Sequence, residues 1–348
     1  MRRTPLFAVH TLAGARFTET PGTLIPAGFL RDPAAECAAA REGAGVFDRA
    51  DQHVVTLVGP DARRFANGMF TNNIRALPVR GSNRNAMVDE KARIQGLLTL
   101  ACLADDTFLA ILDGVTAEAF EARYGRYIVF DDVELTDLSA ERTVLSVQGP
   151  RAAEVLTRAG LPAPESGCAQ ADGVTVVVSP RARAGGFDLV VPTAGAAATW
   201  QALLAAGAAP AGWDASEILR IEAGSPRWPI DMGERALLHE MGLVARCAAF
   251  DKGCYIGQEV LNRVDVMGQV NRQIRGLTLH EDALPPHGAE VRAGDAVVGT
   301  VLSGAREGTR VRTLALLRKD AWESGTQVTV HAGERAVGAT VSALPFPD

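Results

Sequence analysis

The sequence predicts an α+β fold in which antiparallel sheets carry helices on one face and a small β-barrel closes the C-terminal end. Three features point there: a strand-turn-helix pattern that occurs twice, strand-strand-helix units after each copy, and a final stretch made of strands and turns alone. At 348 residues and ~150 residues per ordinary domain, two or three domains are expected, enough to hold a ligand between them.

The repeated pattern is H-V-V-T-L-V-G over 53–59 followed by Pro60, and T-V-L-S-V-Q-G over 143–149 followed by Pro150. Each copy reads as a β-branched strand, a Gly able to sit at a helix N-cap and a Pro at the first helical position, where its missing N–H costs nothing. Apolar residues at helical spacing follow, Phe65 and Met69 in one copy, Val155 and Leu156 in the other.

Between the copies, 97–103 and 107–112 read as strands and 116–127 as a helix. After the second copy, strands are expected over 174–179 and 187–191, and helices over 196–206 and 214–223. Asp214 with Glu217 three residues on has the form of a capping box. The Pro285-Pro286 and Gly288 stretch over 281–289 reads as a linker, and the strands over 297–302, 309–317, 327–330 and 336–343 suggest the barrel.

Bulk properties narrow the function. Hydrophobic residues make up 47% and charged residues 22%, an ordinary globular composition. A net charge of −6 argues against nucleic acid as the main partner, because phosphate binding draws on a surplus of Lys and Arg. The five cysteines are odd in number and contain no C-x-x-C pair, which fits a reducing, cytoplasmic setting without a self-contained metal site. The first residues fit a signal peptide poorly, and no apolar run approaches the ~20 residues that span a bilayer, so no membrane partner is expected. His239-Glu240 begins like a zinc-protease motif, but Leu243 stands where the second His is required.

The densest segment is D-K-G-C-Y-I-G-Q-E-V-L-N-R over 251–263. Gly253 and Gly257 permit a tight backbone path, and Gln258 to Arg263 can form a helix with Gly257 near its cap. Cys254 then lies just before a positive helix terminus and two residues after Lys252, both of which favour a thiolate. The bland alternative is that any single Cys is a small buried hydrophobe. A second candidate is Glu222, at a helix end beside Gly224-Ser225-Pro226 and Trp228, where a carboxylate can accept paired N–H donors from a flat ring and the indole can wall it. Read blandly, Glu222 is a solvated charge and Trp228 is core.

The segment 251–259 resembles the K-G-C-Y-x-G-Q-E signature of the YgfZ family, and Val270-Asn271-Arg272 with Gly276-Leu277 resembles its continuation. The rest of the chain resembles the wider superfamily of the glycine-cleavage T-protein, from Thr11 to Phe17 through Gly45-Val46-Phe47-Asp48, both Gly-Pro turns, Phe70 to Asn73 and Leu219 to Gly224. The resemblance implies a three-domain fold around a pocket for tetrahydrofolate or a substituted form. It implies a discontinuous first domain over 1–51 and 141–250, a ferredoxin-like second domain over 52–140, a signature loop and connector over 251–280, and a barrel over 281–348. By position, Glu222 matches the carboxylate that holds the pterin ring, and the stretch with Lys252, Tyr255 and Gln258 matches the loop and helix start that close the pocket.

Two positions depart from the T-protein. Its acidic pair aligns with Gly96 and Leu97, and Cys254 replaces a usually acidic residue. Gly96 cannot stabilise a developing cation or accept a proton. The expectation is therefore a YgfZ-like folate-binding protein that supports iron–sulfur cluster assembly or repair, with client or assembly proteins as partners and Cys254 as the reactive group. The alternative is a tetrahydrofolate-dependent aminomethyl or methyl transferase or demethylase, with Asp89, Glu90 and Asp113 the nearest acids. A third reading is a folate-binding module without turnover.

Overall fold

The computed structural model describes every residue except Met1, Pro21, Arg31, Gln269, Glu334 and Asp348, and its fold is α+β with a closed six-stranded C-terminal barrel. One sheet has six strands in the order Cys168–Ala171, Val174–Val178, Gly186–Pro192, Arg142–Gln148, Gly45–Asp48 and Ala209–Ala211. Its pairs are antiparallel except the last, which is parallel. A second sheet, with Ser82–Val88, Ile94–Ala104, Thr107–Asp113, His53–Val58 and Glu134–Asp137 in that order, is antiparallel throughout.

Side chains alternate between the two faces of a strand, and here both faces of each sheet are used. On the outer face of the first sheet, Leu145, Val147 and Leu189 pack under the helices Ala152–Arg158 and Ala196–Ala205 through Val155, Leu156, Trp200 and Leu203. On the outer face of the second, Val55, Leu57 and Leu112 pack under Phe65, Phe120 and Tyr124 of the helices Ala62–Met69 and Ala117–Tyr124. The inner faces meet each other through Val54, Ala101, Leu109 and Ile111 on one side and Val144, Val177 and Val190 on the other.

The two Gly-Pro turns share one geometry, although neither Gly is the N-cap expected from sequence. The N-caps are Asp61 and Arg151, two residues later. Gly59 and Gly149 instead take φ of 141° and 129°, and a Cβ there would lie 2.2 Å from the Asp132 carbonyl oxygen and 2.3 Å from that of Ala40. Backbone crowding, not capping, demands glycine at both turns.

The capping box does not form either. The helix Trp213–Glu222 starts one residue earlier, with Gly212 as its N-cap. Asp214 pairs outward with Arg16 at 3.2 Å, which leaves Glu217 free to face inward.

The barrel runs in the order Arg272–Leu279, Arg310–Arg318, Ala296–Glu307, Glu290–Ala293, Gln327–Ala332 and Arg335–Ser342. Its first strand comes from the stretch read above as connector. That strand pairs with Arg310–Arg318 on one side and Arg335–Ser342 on the other, so it closes a sheet that would otherwise expose two edges.

Candidate functional site

Moving along the inner strands, the face that is apolar in the middle of the sandwich turns polar at one end. Leu109 and Ile111 give way to Asp113, Ala101 to Thr99, and Val144 to Ser146 and Gln148. The sheets stop packing there, and a cavity of about 500 Å³ opens between them, walled on its remaining sides by the helix Trp213–Glu222 and the segment 225–230. That volume falls in the range of small-molecule sites.

Two charge clusters line it. In the first, Asp113 accepts hydrogen bonds from Gln52, from Arg84 at 2.5 Å and from Arg181 at 3.3 Å. Arg181 also forks onto the buried Asp188 at 2.6 to 3.0 Å, and Arg49 forks onto Asp51 at 2.8 and 2.9 Å. Burial alone would raise the Asp113 carboxyl, but the charges of Arg181, Arg84 and Arg49 outweigh it and hold it well below the usual carboxylate range.

In the second cluster, Arg220 grips Glu217 through two bonds of 3.0 and 2.8 Å, and Arg227 approaches the same carboxylate at 3.1 Å. Burial pushes Glu217 up, yet Arg220 and Arg227 prevail and its pKa is lowered. Trp213 lies between Arg227 and Arg49, with guanidinium carbons 4.7 and 5.4 Å from its ring. The Nε of Arg227 is buried and has no hydrogen-bond partner among the described residues.

Chemically, the Asp113 and Glu217 carboxylates on the cavity wall are fixed anions. They are acceptors for N–H groups and counter-charges for a cation, and they are poor proton donors or bases at neutral pH. The arginines supply donors for carbonyl or anionic groups.

Of the residues singled out from sequence, the structure puts Trp228 in the cavity wall. Glu222 does not line the cavity. Its carboxylate is held by Arg41 at 2.8 and 3.2 Å and by Arg312 at 2.8 Å, between its own helix, the helix Pro33–Glu42 and the barrel. Lys252, Cys254, Tyr255 and Gln258 are also absent from the lining. The Lys252 ammonium is buried against the carbonyls of Phe70 and Asn72 at 2.5 and 2.6 Å and lies 4.6 Å from the centre of the Tyr255 ring. Burial lowers its pKa to about 7. Tyr255 is buried and Gln258 half-buried at the start of the helix Gln258–Met267, while Cys254 is exposed and the other four cysteines are buried. Glu222 and Cys254 therefore do not share one hollow with Trp228.

Among the three alternative acids, Asp113 lines the cavity. Asp89 caps a turn by accepting from the N–H groups of Lys91 and Arg93, each at 2.9 Å, and Glu90 accepts from the Tyr127 hydroxyl at 3.3 Å. Leu97 lines the cavity and is the cross-strand partner of Asp113, so a carboxylate emerges one strand away from the apolar position. Among the described residues, no group of three or more His, Cys, Asp or Glu is placed to hold a metal ion, and no helix is long and apolar enough to cross a membrane.

Comparisons with known proteins agree with this architecture. Residues 6–252 match the GCVT N-terminal domain and residues 272–348 the glycine cleavage T-protein C-terminal barrel domain. The aminomethyltransferase of Geobacillus kaustophilus is 30% identical, over 99% of this chain and 98% of that protein. That of Cutibacterium acnes is 28% identical, over 99% and 98%. The crystal structure of glycine cleavage system aminomethyltransferase T from Bartonella henselae superposes with a TM-score of 0.91 at 23% identity, covering 99% of this chain and 98% of that one.

Proposed function

The chain belongs to the glycine cleavage T-protein family, and from that premise we propose that it is a tetrahydrofolate-dependent one-carbon transferase, acting on an aminomethyl or methyl group in the cavity between the sheets. The observation that carries this reading is the pairing of two fixed carboxylates, Glu217 and Asp113, with indole walls and arginine donors in one cavity of about 500 Å³. A reduced pterin is a flat ring rich in N–H donors with a carbonyl edge and an anionic tail, and this donor and acceptor set fits it.

Bound there, a reduced folate supplies the nitrogen that accepts the carbon. Glu217 accepts ring N–H groups, while Trp213 and Trp228 exclude water. Asp113, kept ionised, offsets positive charge on the carbon being transferred. The T-protein acid expected at 96 or 97 is thus replaced by one on the neighbouring strand.

The test is calorimetric titration with 5-formyltetrahydrofolate, followed by turnover assays with tetrahydrofolate and a panel of aminomethyl and methyl donors. Wild-type binding lost in Glu217→Gln, with turnover lost in Asp113→Asn, supports the reading; no binding by the wild type refutes it.

A second reading is favoured by a different observation. Cys254 is the exposed thiol of the chain and stands in the segment that resembles the YgfZ signature. On this reading the folate-bound protein supports iron–sulfur enzymes through that thiol, outside the cavity. Iron–sulfur enzyme activity in a deletion strain, complemented with Cys254→Ala, separates the two: full rescue removes the role of the thiol.

A further inference from the structure

The barrel contributes no residue to the cavity lining among the described residues, yet it reaches the cavity through one buried carboxylate. Asp231 is 1% exposed and directly follows the cavity-wall segment 225–230. Its Oδ2 accepts from Arg220 Nη1 at 2.9 Å and from the Arg227 backbone N–H at 2.7 Å. Its Oδ1 accepts from the backbone N–H of Ser303 at 2.7 Å and from the Ser303 hydroxyl. Ser303 lies in the barrel strand Ala296–Glu307, at the register shift between Val301 and Gly304.

We infer that Asp231 is a positioning residue through which the barrel sets the cavity end built from Glu217, Arg220 and Arg227. The inference rests on that cavity being the folate site. Arg220 is held from two sides, its Nε and Nη2 by Glu217 and its Nη1 by Asp231 and the Ser225 carbonyl at 2.7 Å. With the fork held in this way, Glu217 presents its remaining lone pairs in one direction. The Asp231 bond to the Arg227 backbone also fixes where that side chain leaves the wall toward Trp213.

Asp231 meets four donors with two oxygens. An amide has one acceptor oxygen and two donors of its own, so Asp231→Asn sets donor against donor inside a buried network. Ser303→Ala is milder. It removes the hydroxyl bond from a barrel residue 72 positions away in sequence and adds nothing to the cavity.

Ser303→Ala is expected to weaken 5-formyltetrahydrofolate binding at least three-fold, Asp231→Asn at least ten-fold, and Ser303→Thr to restore most of the loss. Unfolding of the ligand-free Ser303→Ala protein should remain one cooperative transition, lowered only by the loss of one buried hydrogen bond to a carboxylate. A second readout needs no folate: the near-ultraviolet circular dichroism of Trp213, isolated by subtracting the spectrum of Trp213→Phe, should change in Ser303→Ala. Affinity within two-fold of wild type in Ser303→Ala, together with an unchanged Trp213 signal, overturns the inference. If wild type binds no folate, the functional reading fails by itself and the Trp213 signal decides this one. If Asp231→Asn does not fold, the two Ser303 variants carry the test.

Discussion

Glu217 and Glu222 sit on one helix, and a step of five residues turns a side chain by about 140° after whole turns are removed. That rotation separates a cavity acid from a structural one. Glu217→Gln should weaken folate binding about ten-fold or more, because a neutral amide cannot take two N–H donors as a carboxylate does. Glu222→Gln should leave affinity within two-fold and cost about 1–2 kcal/mol of stability, below the ~3–5 kcal/mol of a fully buried pair because Arg41 is partly solvated. Calorimetric titration and thermal unfolding of both variants check the ranking, and a larger affinity loss at 222 would return the pterin to that residue. Gly96 makes a second case. A Cβ there would lie 2.2 Å from Met87 Cε and 2.5 Å from Val115 Cγ2, at a φ of 153°. Gly96→Asp should therefore cost roughly 2–4 kcal/mol without restoring T-protein chemistry. A stable, more active variant in a transfer assay would contradict this.

At the scale of elements, strands and helices were legible from short apolar runs bounded by turns, as in 107–112, and from apolar residues at helical spacing, as in 196–206. The cavity was written in the same strands, in the switch from Ile111 to Asp113 and from Val144 to Ser146 and Gln148 on one face. It was hard to read because no local pattern tells which sheet faces which. Glu217 was masked differently: three residues after Asp214 it imitates a capping partner, and only tertiary packing shows that the helix begins at Trp213. The signature segment is also a structural element, since Lys252 ties it to the carbonyls of Phe70 and Asn72. Its pKa falls from 10.5 to about 7 through burial. Between those values the unfolded chain binds more protons than the folded one, so stability rises with pH across that window. Burial pushes the opposite way at the thiols, raising Cys37 to about 12 and Cys168 and Cys247 to about 11 from 9.0. Their contribution is complete below pH 9 and is lost as pH climbs toward the folded values. Urea unfolding should show stability climbing from about pH 6 to 8.5 and falling beyond. Lys252→Met should flatten the climb and Cys247→Ala soften the fall; a climb unaltered by Lys252→Met would mean the lysine stays charged.

At the scale of the whole molecule, the barrel is joined to the sheets by charge as well as by apolar contact. Glu222 bonds Arg312 of the barrel and Arg41 of the helix Pro33–Glu42, and Arg41 bonds Glu307 of the barrel at 2.7 and 2.9 Å. Glu240 bonds Arg272 at 2.9 Å through its carboxylate and Ile274 at 2.7 Å through its carbonyl. The barrel has its own apolar interior, with Leu277, Val291, Val301, Leu317 and Val330 buried together, so it can stay folded when this joint is loosened. Removing one partner of a partly buried network leaves the others desolvated and unmatched, which costs more than the pair contributed. Arg312→Met leaves Glu222 to Arg41 alone and should uncouple the barrel from the sheets. Scanning calorimetry of the variant should then resolve two unfolding steps where the wild type shows one, with the sandwich step shifted upward by folate and the barrel step unmoved. If Arg312→Met still unfolds in one transition, the apolar contacts around Ile221, Ile274, Leu302 and Phe346 carry the coupling, and the ionic network only sets the register of the joint.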